Sequence, residues 1–198
     1  MFLKVRSSKV NPSMKSEKEI LAGCVRGKQS AQWELFNRYS RLLLAICNRY
    51  AKSMDEAEDI LQEGFVKIFL NIKEFKGDGP LMAWMRRIMI NTAITYYHKM
   101  MKHRYHDDVD EVSESKFEDN DWGEAEFTKE ELFGVIQQMP DGYRHVFNLY
   151  AMEGYKHREI AEILKIDENT SKSQYSRARR WLQERLIKLK QERTKRNE

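Results

Sequence analysis

The chain has 198 residues, 33 % of them charged, with a formal net charge of +4, which is enough for one large or two small domains. Its two cysteines, Cys24 and Cys47, form no CxxC pair; this excludes a zinc module or disulfide scaffold and makes both buried free thiols of a reducing compartment. The longest apolar run, Leu42 to Cys47, is too short to span a bilayer, and Met1–Arg6 leads into no apolar signal core, so a soluble cytoplasmic protein without membrane insertion is expected.

Charge is distributed unevenly along the chain. From Leu81 to His106 there is no acidic residue, while Arg86, Arg87, Lys99, Lys102 and Arg104 are basic. From His106 to Glu126 Lys116 is the only lysine or arginine among many carboxylates, and the chain ends basic again with Arg185, Lys188, Lys190, Arg193, Lys195 and Arg196. Two basic blocks around an acidic strip point to a polyanion gripped at two places. A single such block would read as a solvated helix face.

In chain order, residues 1–15 are polar and expected to be flexible. Ser16 with Glu19 forms a capping box that opens a short helix through Ile20, Leu21 and Val25, ended by Gly27. A longer helix is expected from Ser30 to Ala51, with Leu35, Phe36, Tyr39, Leu42, Leu43, Ile46, Cys47 and Tyr50 inward. Asp55 with Glu58 reads as a second capping pair, opening a helix to Ile72 whose inward side is Ala57, Ile60, Leu61, Phe65, Ile68 and Ile72. Its outer face gathers Asp55, Asp59, Gln62 and Glu63. The helix dipole accounts for acids in a first turn but poorly for Glu63, whereas a docking face for a basic protein surface accounts for the whole set.

Pro80 stands where proline is tolerated, at a helix start. The helix after it carries Leu81, Trp84, Met85, Ile88, Met89 and Ala93 on its apolar stripe and extends to Lys102. It also combines Arg86, Arg87, Asn91, Tyr96, Tyr97, His98 and Lys99. Cations follow a phosphate backbone while aromatic and amide groups hold unstacked bases, so this is the chemistry of single-stranded DNA binding. Trp84 shares the stripe of Ile88 and reads as core. Tyr96 and Tyr97 are adjacent, so at least one faces outward.

The acidic strip lacks periodicity and reads as a linker over residues 106–127. Thr128 with Glu131 opens the second domain by another capping box. Arg158–Leu164 is a short helix with Ile160, Ala161, Ile163 and Leu164 buried, Lys165–Glu168 a tight corner, and a longer helix runs from Asn169. That helix is counted inward at Ser171, Tyr175, Ala178, Leu182, Leu186 and Leu189. Two helices joined by so short a turn, the second basic, form a helix-turn-helix; a plain helical hairpin with a solvated basic face is the bland alternative. Geometry then places Ser173, Ser176, Arg177 and Arg180 outward, flanked by Lys172 and Gln174, where they reach bases and phosphates of a major groove. No strand is expected. The fold class is all-α: two small helical domains joined by an acidic linker, the C-terminal one a helix-turn-helix. The His98, His103 and His106 spacing fits no compact metal site, and no phosphate loop, triad or carboxylate pair suggests catalysis. A binding protein without cofactor or metal is expected.

Several runs resemble one family. Gly154–Leu164, Asn169–Ser173 and Ser176–Arg179, with Met139-Pro140 and Tyr143–Tyr150 upstream, look like the C-terminal domain of bacterial RNA polymerase sigma factors, of the small extracytoplasmic-function (ECF) group. Asp55–Phe69 resembles the sigma segment that clamps onto the polymerase β′ subunit, and Ala83–Ala93 the segment that melts and reads the −10 element. The sequence departs from the family at Lys156 and Asn169, where Ser and Gly are usual and Asn can still cap a helix. It departs again at Ser171, usually a branched apolar residue, so looser packing is expected there, and at Thr95 with His98-Lys99, in place of an Asp and a basic pair.

The resemblance implies an ECF sigma factor that binds core RNA polymerase at the β′ clamp and β flap and directs promoter recognition and transcription initiation. It implies a flexible start over 1–15, a region 2-like domain over 16–105, a linker over 106–127, a region 4-like domain over 128–190 and a basic tail over 191–198. Polymerase would meet Asp55, Asp59, Gln62, Glu63 and Phe65. The −10 element would meet Arg86, Arg87, Asn91, Tyr96 and Lys99. The −35 element would meet Arg158, Thr170, Lys172, Ser173, Gln174, Ser176, Arg177 and Arg180. An anti-sigma protein is a further partner that relatives often have. The competing readings are a stand-alone helix-turn-helix regulator with an N-terminal sensing or dimerising domain, and an RNA-binding protein.

Overall fold

The computed structural model describes residues 15–103 and 127–197, and all regular structure among them is helical. The order is α1 (Glu17–Val25), α2 (Gln29–Tyr50), α3 (Met54–Asn71) with a 3-10 turn at Ile72–Glu74, and α4 (Leu81–His103). Then come α5 (Lys129–Gln137), α6 (Asp141–Phe147) running into a π turn at Asn148–Met152, α7 (His157–Leu164) and α8 (Glu168–Asn197). The all-α class and the helix-turn-helix stand as expected. The acidic strip expected as a linker falls mostly on residues 104–126, outside the described residues, as do most of the expected flexible N-terminal residues, 1–14.

Local chemistry sets most helix starts. At Ser16 and Thr128 the boxes close both ways: the Ser16 and Thr128 amides donate to the Glu19 and Glu131 carboxylates at 2.8 Å, and the glutamate amides donate back to the hydroxyls. The pair expected at Asp55 and Glu58 is not the cap of α3. Ser53, in extended conformation, accepts from the Glu56 amide at 3.2 Å, so the helix begins at Met54 and Asp55 lies within its first turn. A serine hydroxyl two residues upstream captures the free amide first. Likewise α8 starts at Glu168, which puts Asn169 inside its first turn rather than at a cap. Lys156 has no acceptor to offer, so α7 receives only the reverse half of a box, the Lys156 amide to Glu159 at 2.7 Å. Between α7 and α8, Lys165 turns the chain in the left-handed conformation at φ 56°.

Helices α1 to α4 pack around Ile20, Leu35, Leu43, Cys47, Ile60, Ile68, Met85 and Met89. Leu42, expected inward, is exposed. Two glycines permit close helix approaches. A Cβ on Gly23 would lie 2.5 Å from that of Ala31, and one on Gly64 would lie 2.2 Å from the Met89 sulfur. Helices α6, α7 and α8 close around Val146, Leu149, Ile160, Leu164 and Ala178, with α5 laid against α8. Ser171 is fully buried in that core, and its hydroxyl is hydrogen bonded to His157 at 2.9 Å. His157 stacks in turn on Tyr150, with ring centroids 4.4 Å apart. A hydrogen bond, not an apolar branch, therefore fills the position where looser packing was expected. The two helical groups meet where the C-terminus of α2 and one side of α4 face α6 and the π turn.

Candidate nucleic-acid interface

Three surfaces carry the residues singled out in the sequence. On the helix-turn-helix, Lys172, Ser173 and Ser176 are exposed on α8, with Thr170, Gln174 and Arg177 half-buried. Lys172 pairs with Glu168 at 2.6 Å, one turn back. Arg158 projects from α7 with its side chain 84 % exposed. Gln174 leans against Gly142 of α6, where an added Cβ would meet its amide at 3.4 Å. Arg180 departs from the expectation of an open outward face. Its side chain is only 12 % exposed, and Nε lies 3.9 Å from Glu184, one turn further on.

On α4, Arg87, Asn91, Thr95 and Lys99 succeed one another at four-residue steps and all are exposed, forming one continuous stripe. Thr95 bonds back to the Asn91 carbonyl at 2.7 Å. Tyr96 is half-buried beside this stripe. Burial raises its phenol above the usual range, and the carboxylates of Glu56, Asp59 and Glu63 add to the shift, which sets Tyr96 next to the acidic face of α3. Arg86 is the exception. It turns towards the C-terminal helices, where Nε lies 2.6 Å from Glu153 and Nη2 donates to the Met152 carbonyl at 3.3 Å. A step of one residue rotates a side chain by about 100° around the helix, enough to part Arg86 from Arg87. Trp84 is half-buried against Phe75, with ring centroids 5.6 Å apart, in keeping with its place on the apolar stripe. Among the described residues no group of three or more His, Cys, Asp or Glu side chains is arranged to hold a metal, and the ring nitrogen of His98 donates to the Ile163 carbonyl at 3.2 Å.

On α3, Asp55, Asp59 and Gln62 are exposed and Glu63 half-buried. Lys67, one turn further on, bonds Glu63 at 2.8 Å and holds its carboxyl below the usual range. Phe65 does not belong to this face. It follows Leu61 by one helical turn and shares its buried side, with Phe36 at 4.7 Å and Phe69 at 5.8 Å between ring centroids. Sequence reasoning missed two residues that do share the outer face. Val66 and Leu70, the latter 75 % exposed, continue the line of Asp59 and Gln62 as an apolar end to the acidic surface. The signal is present in the sequence, since both fall off the inward stripe of α3 by helical spacing.

The chain is similar to known proteins over most of its length. The family description Sigma-70 region 2 matches residues 35–102, and Sigma-70, region 4 matches residues 129–182. The ECF RNA polymerase sigma-E factor of Haemophilus influenzae is 26 % identical over 174 residues, covering 83 % of this chain and 92 % of that protein. That of Escherichia coli is 28 % identical over 164 residues, covering 78 % and 85 %. Among solved structures, the sigma factor RpoE in complex with the anti-sigma factor NepR from Bartonella quintana aligns with TM-score 0.48 and 24 % identity, over 78 % of this chain and 95 % of that one. CnrH in complex with the cytosolic domain of CnrY aligns with TM-score 0.45 and 20 % identity, over 86 % and 97 %.

Proposed function

We infer the function from the family to which the chain belongs, the sigma-70 factors of the ECF group: it binds core RNA polymerase and directs promoter recognition and transcription initiation. One observation carries this. Region 2 and region 4 occur on one chain, in that order, across most of the length of the sigma-E relatives. A stand-alone regulator is not favoured, because it leaves the acidic-apolar face of α3 and the Arg87–Lys99 stripe without a role.

Within that function the residues divide by surface. The face of Asp55, Asp59, Gln62 and Glu63, extended by Val66 and Leu70, docks on the β′ clamp, and the C-terminal domain meets the β flap. Arg87, Asn91 and Lys99, with Tyr96 beside them, hold the opened −10 strand, where each stacked base contributes about 1–3 kcal/mol. Lys172, Ser173, Ser176 and Arg177 read the −35 duplex, with Arg158 and Thr170 on its backbone. The polymerase supplies the chemistry, the protein needs no cofactor, and it works in the cytoplasm. An anti-sigma protein is a further partner in this reading. The domains are taken as residues 16–105 and 128–190. Run-off transcription with purified core polymerase tests the assignment, on genomic fragments retained by the reconstituted holoenzyme. Discrete transcripts that require the protein are expected. Failure to bind core enzyme, or unaided recognition of a palindrome, would overturn it.

A further inference from the structure

Helix α8 is held at its start by a polar joint. Across residues 168–177 of this helix Ser171 alone is fully buried, so the pose of this end depends on what Ser171 meets. It meets His157, the first residue of α7, whose Nδ1 is hydrogen bonded to the serine hydroxyl at 2.9 Å. The imidazole is fixed from two further directions. Tyr150 of the π turn stacks on it with 15° between ring planes. Tyr175, one turn after Ser171 on α8, tilts against both rings, with centroids 4.4 Å from Tyr150 and 5.8 Å from His157. Three elements therefore converge on one ring where α8 begins.

We propose that His157 is a positioning residue for −35 recognition: held by Tyr150 and bonded to Ser171, it fixes the rotation of α8 about its axis, and so the sequence preference, without itself meeting a base. This rests on the reading of α8 as the helix that lies in the −35 major groove. Side-chain tips stand about 5–6 Å from a helix axis, so a rotation of about 10° carries them about 1 Å. A hydrogen bond to a base edge tolerates roughly half that, from about 2.7 to 3.2 Å. A small roll of α8 therefore takes Ser173, Ser176 and Arg177 out of register with the bases. Phosphate contacts survive it, because charge attraction reaches further and carries no sequence information.

The side chains chosen suit positioning better than stability. A branched aliphatic group buried at Ser171 would contribute more to folding than one neutral hydrogen bond does. Apolar contact, however, is non-directional and lets one helix roll on another, whereas a hydrogen bond weakens steeply when bent. The hydroxyl can donate or accept, so the bond holds with His157 in either tautomer. The joint also lies beside the residues it would align. His157 precedes Arg158, whose side chain is open to solvent, and Ser171 precedes Lys172, so backbone anchor and reading face are set from one point.

Competition among −35 variants of a promoter fragment retained by the holoenzyme, with the full chain, tests this. His157→Phe keeps a stacking ring and deletes the bond; Ser171→Ala deletes the same bond from α8 and serves alone if thermal melting shows the first variant unfolded. Each is expected to lower discrimination between the preferred sequence and single-base variants about threefold to tenfold, and the double variant to lose no more than either single one. The salt dependence of binding should stay as in the wild type, because no phosphate contact is removed. His157→Asn, whose amide can stand where Nδ1 does, should restore most of the discrimination. Wild-type discrimination in the single variants would overturn the proposal. So would an equal loss of affinity for every sequence, the mark of a merely structural role, or a shallower salt dependence, the mark of a direct phosphate contact. A wild-type holoenzyme without any −35 preference overturns the reading of α8 itself, and is seen before any variant is made.

Discussion

His145 makes the seam between the domains sensitive to acid. Its ring is 1 % exposed on α6, Nδ1 donates to the Asp141 carbonyl at 2.6 Å, and Tyr97 of α4 stacks on it with centroids 4.2 Å apart. Tyr50 of α2 packs 5.8 Å away. Burial pushes the imidazole down to about 4, the charges of Arg144 and His98 push the same way, and Asp141 opposes them. The closed, folded protein therefore holds His145 neutral, whereas the unfolded chain binds a proton near pH 6.5. The resulting stability is fully present above that value and is lost as pH falls from about 6.5 towards 4. At about 1.36 kcal/mol per unit, moving from pH 7.5 to pH 5.0 removes about 2 kcal/mol, a large share of the 5–15 kcal/mol typical of a folded protein. Urea unfolding followed by helical circular dichroism at both pH values measures the loss. His145→Gln cannot titrate, so its stability should fall by about 2 kcal/mol less over the same range. His98, His157 and the carboxylates remain in both proteins and cancel in the comparison. Equal pH dependence in the two proteins would refute the reasoning.

Four further outcomes are expected. Arg177→Ala should cost about 1–3 kcal/mol in −35 recognition and relax sequence preference more than salt dependence, measured by competition among promoter variants with holoenzyme; an unchanged preference would show that α8 is not the reader. Leu70→Lys should weaken binding to core polymerase without lowering the melting temperature, because the side chain is exposed and surface changes alter stability little. Gly64→Ala should destabilise by about 1–3 kcal/mol through overpacking against Met89, with partial rescue by Met89→Ala in a double-mutant cycle. Lys165→Gly should stabilise by about 1 kcal/mol, since Lys165 occupies the left-handed region at φ 56°; an unaltered urea midpoint would count against that strain.

Local rules make most of the fold legible. The boxes at Ser16 and Thr128 satisfy amides three residues away, and the stripe from Ser171 to Leu189 follows helical period, so neither depends on distant parts of the chain. The start of α3 is harder to read because Ser53 and Asp55 both offer oxygen acceptors, and only the backbone conformation at Ser53 decides between them. Resemblance puts Phe65 on a docking face although its own spacing turns it inward, and the packing of Phe36 and Phe69 follows that spacing.

The sequence alone determined the succession of helices and most of their buried stripes, because a helix sets which residues share a face within a few turns. Only the tertiary structure decided which polar groups leave solvent. Glu153, His145 and Asn148 carry no periodic signature as a set, and their partners on α2 and α4 lie far away in the chain. Arg86 and Arg87 are neighbours in sequence, yet one is held by Glu153 and the other faces solvent. That difference comes from the meeting of two domains, which no local pattern encodes.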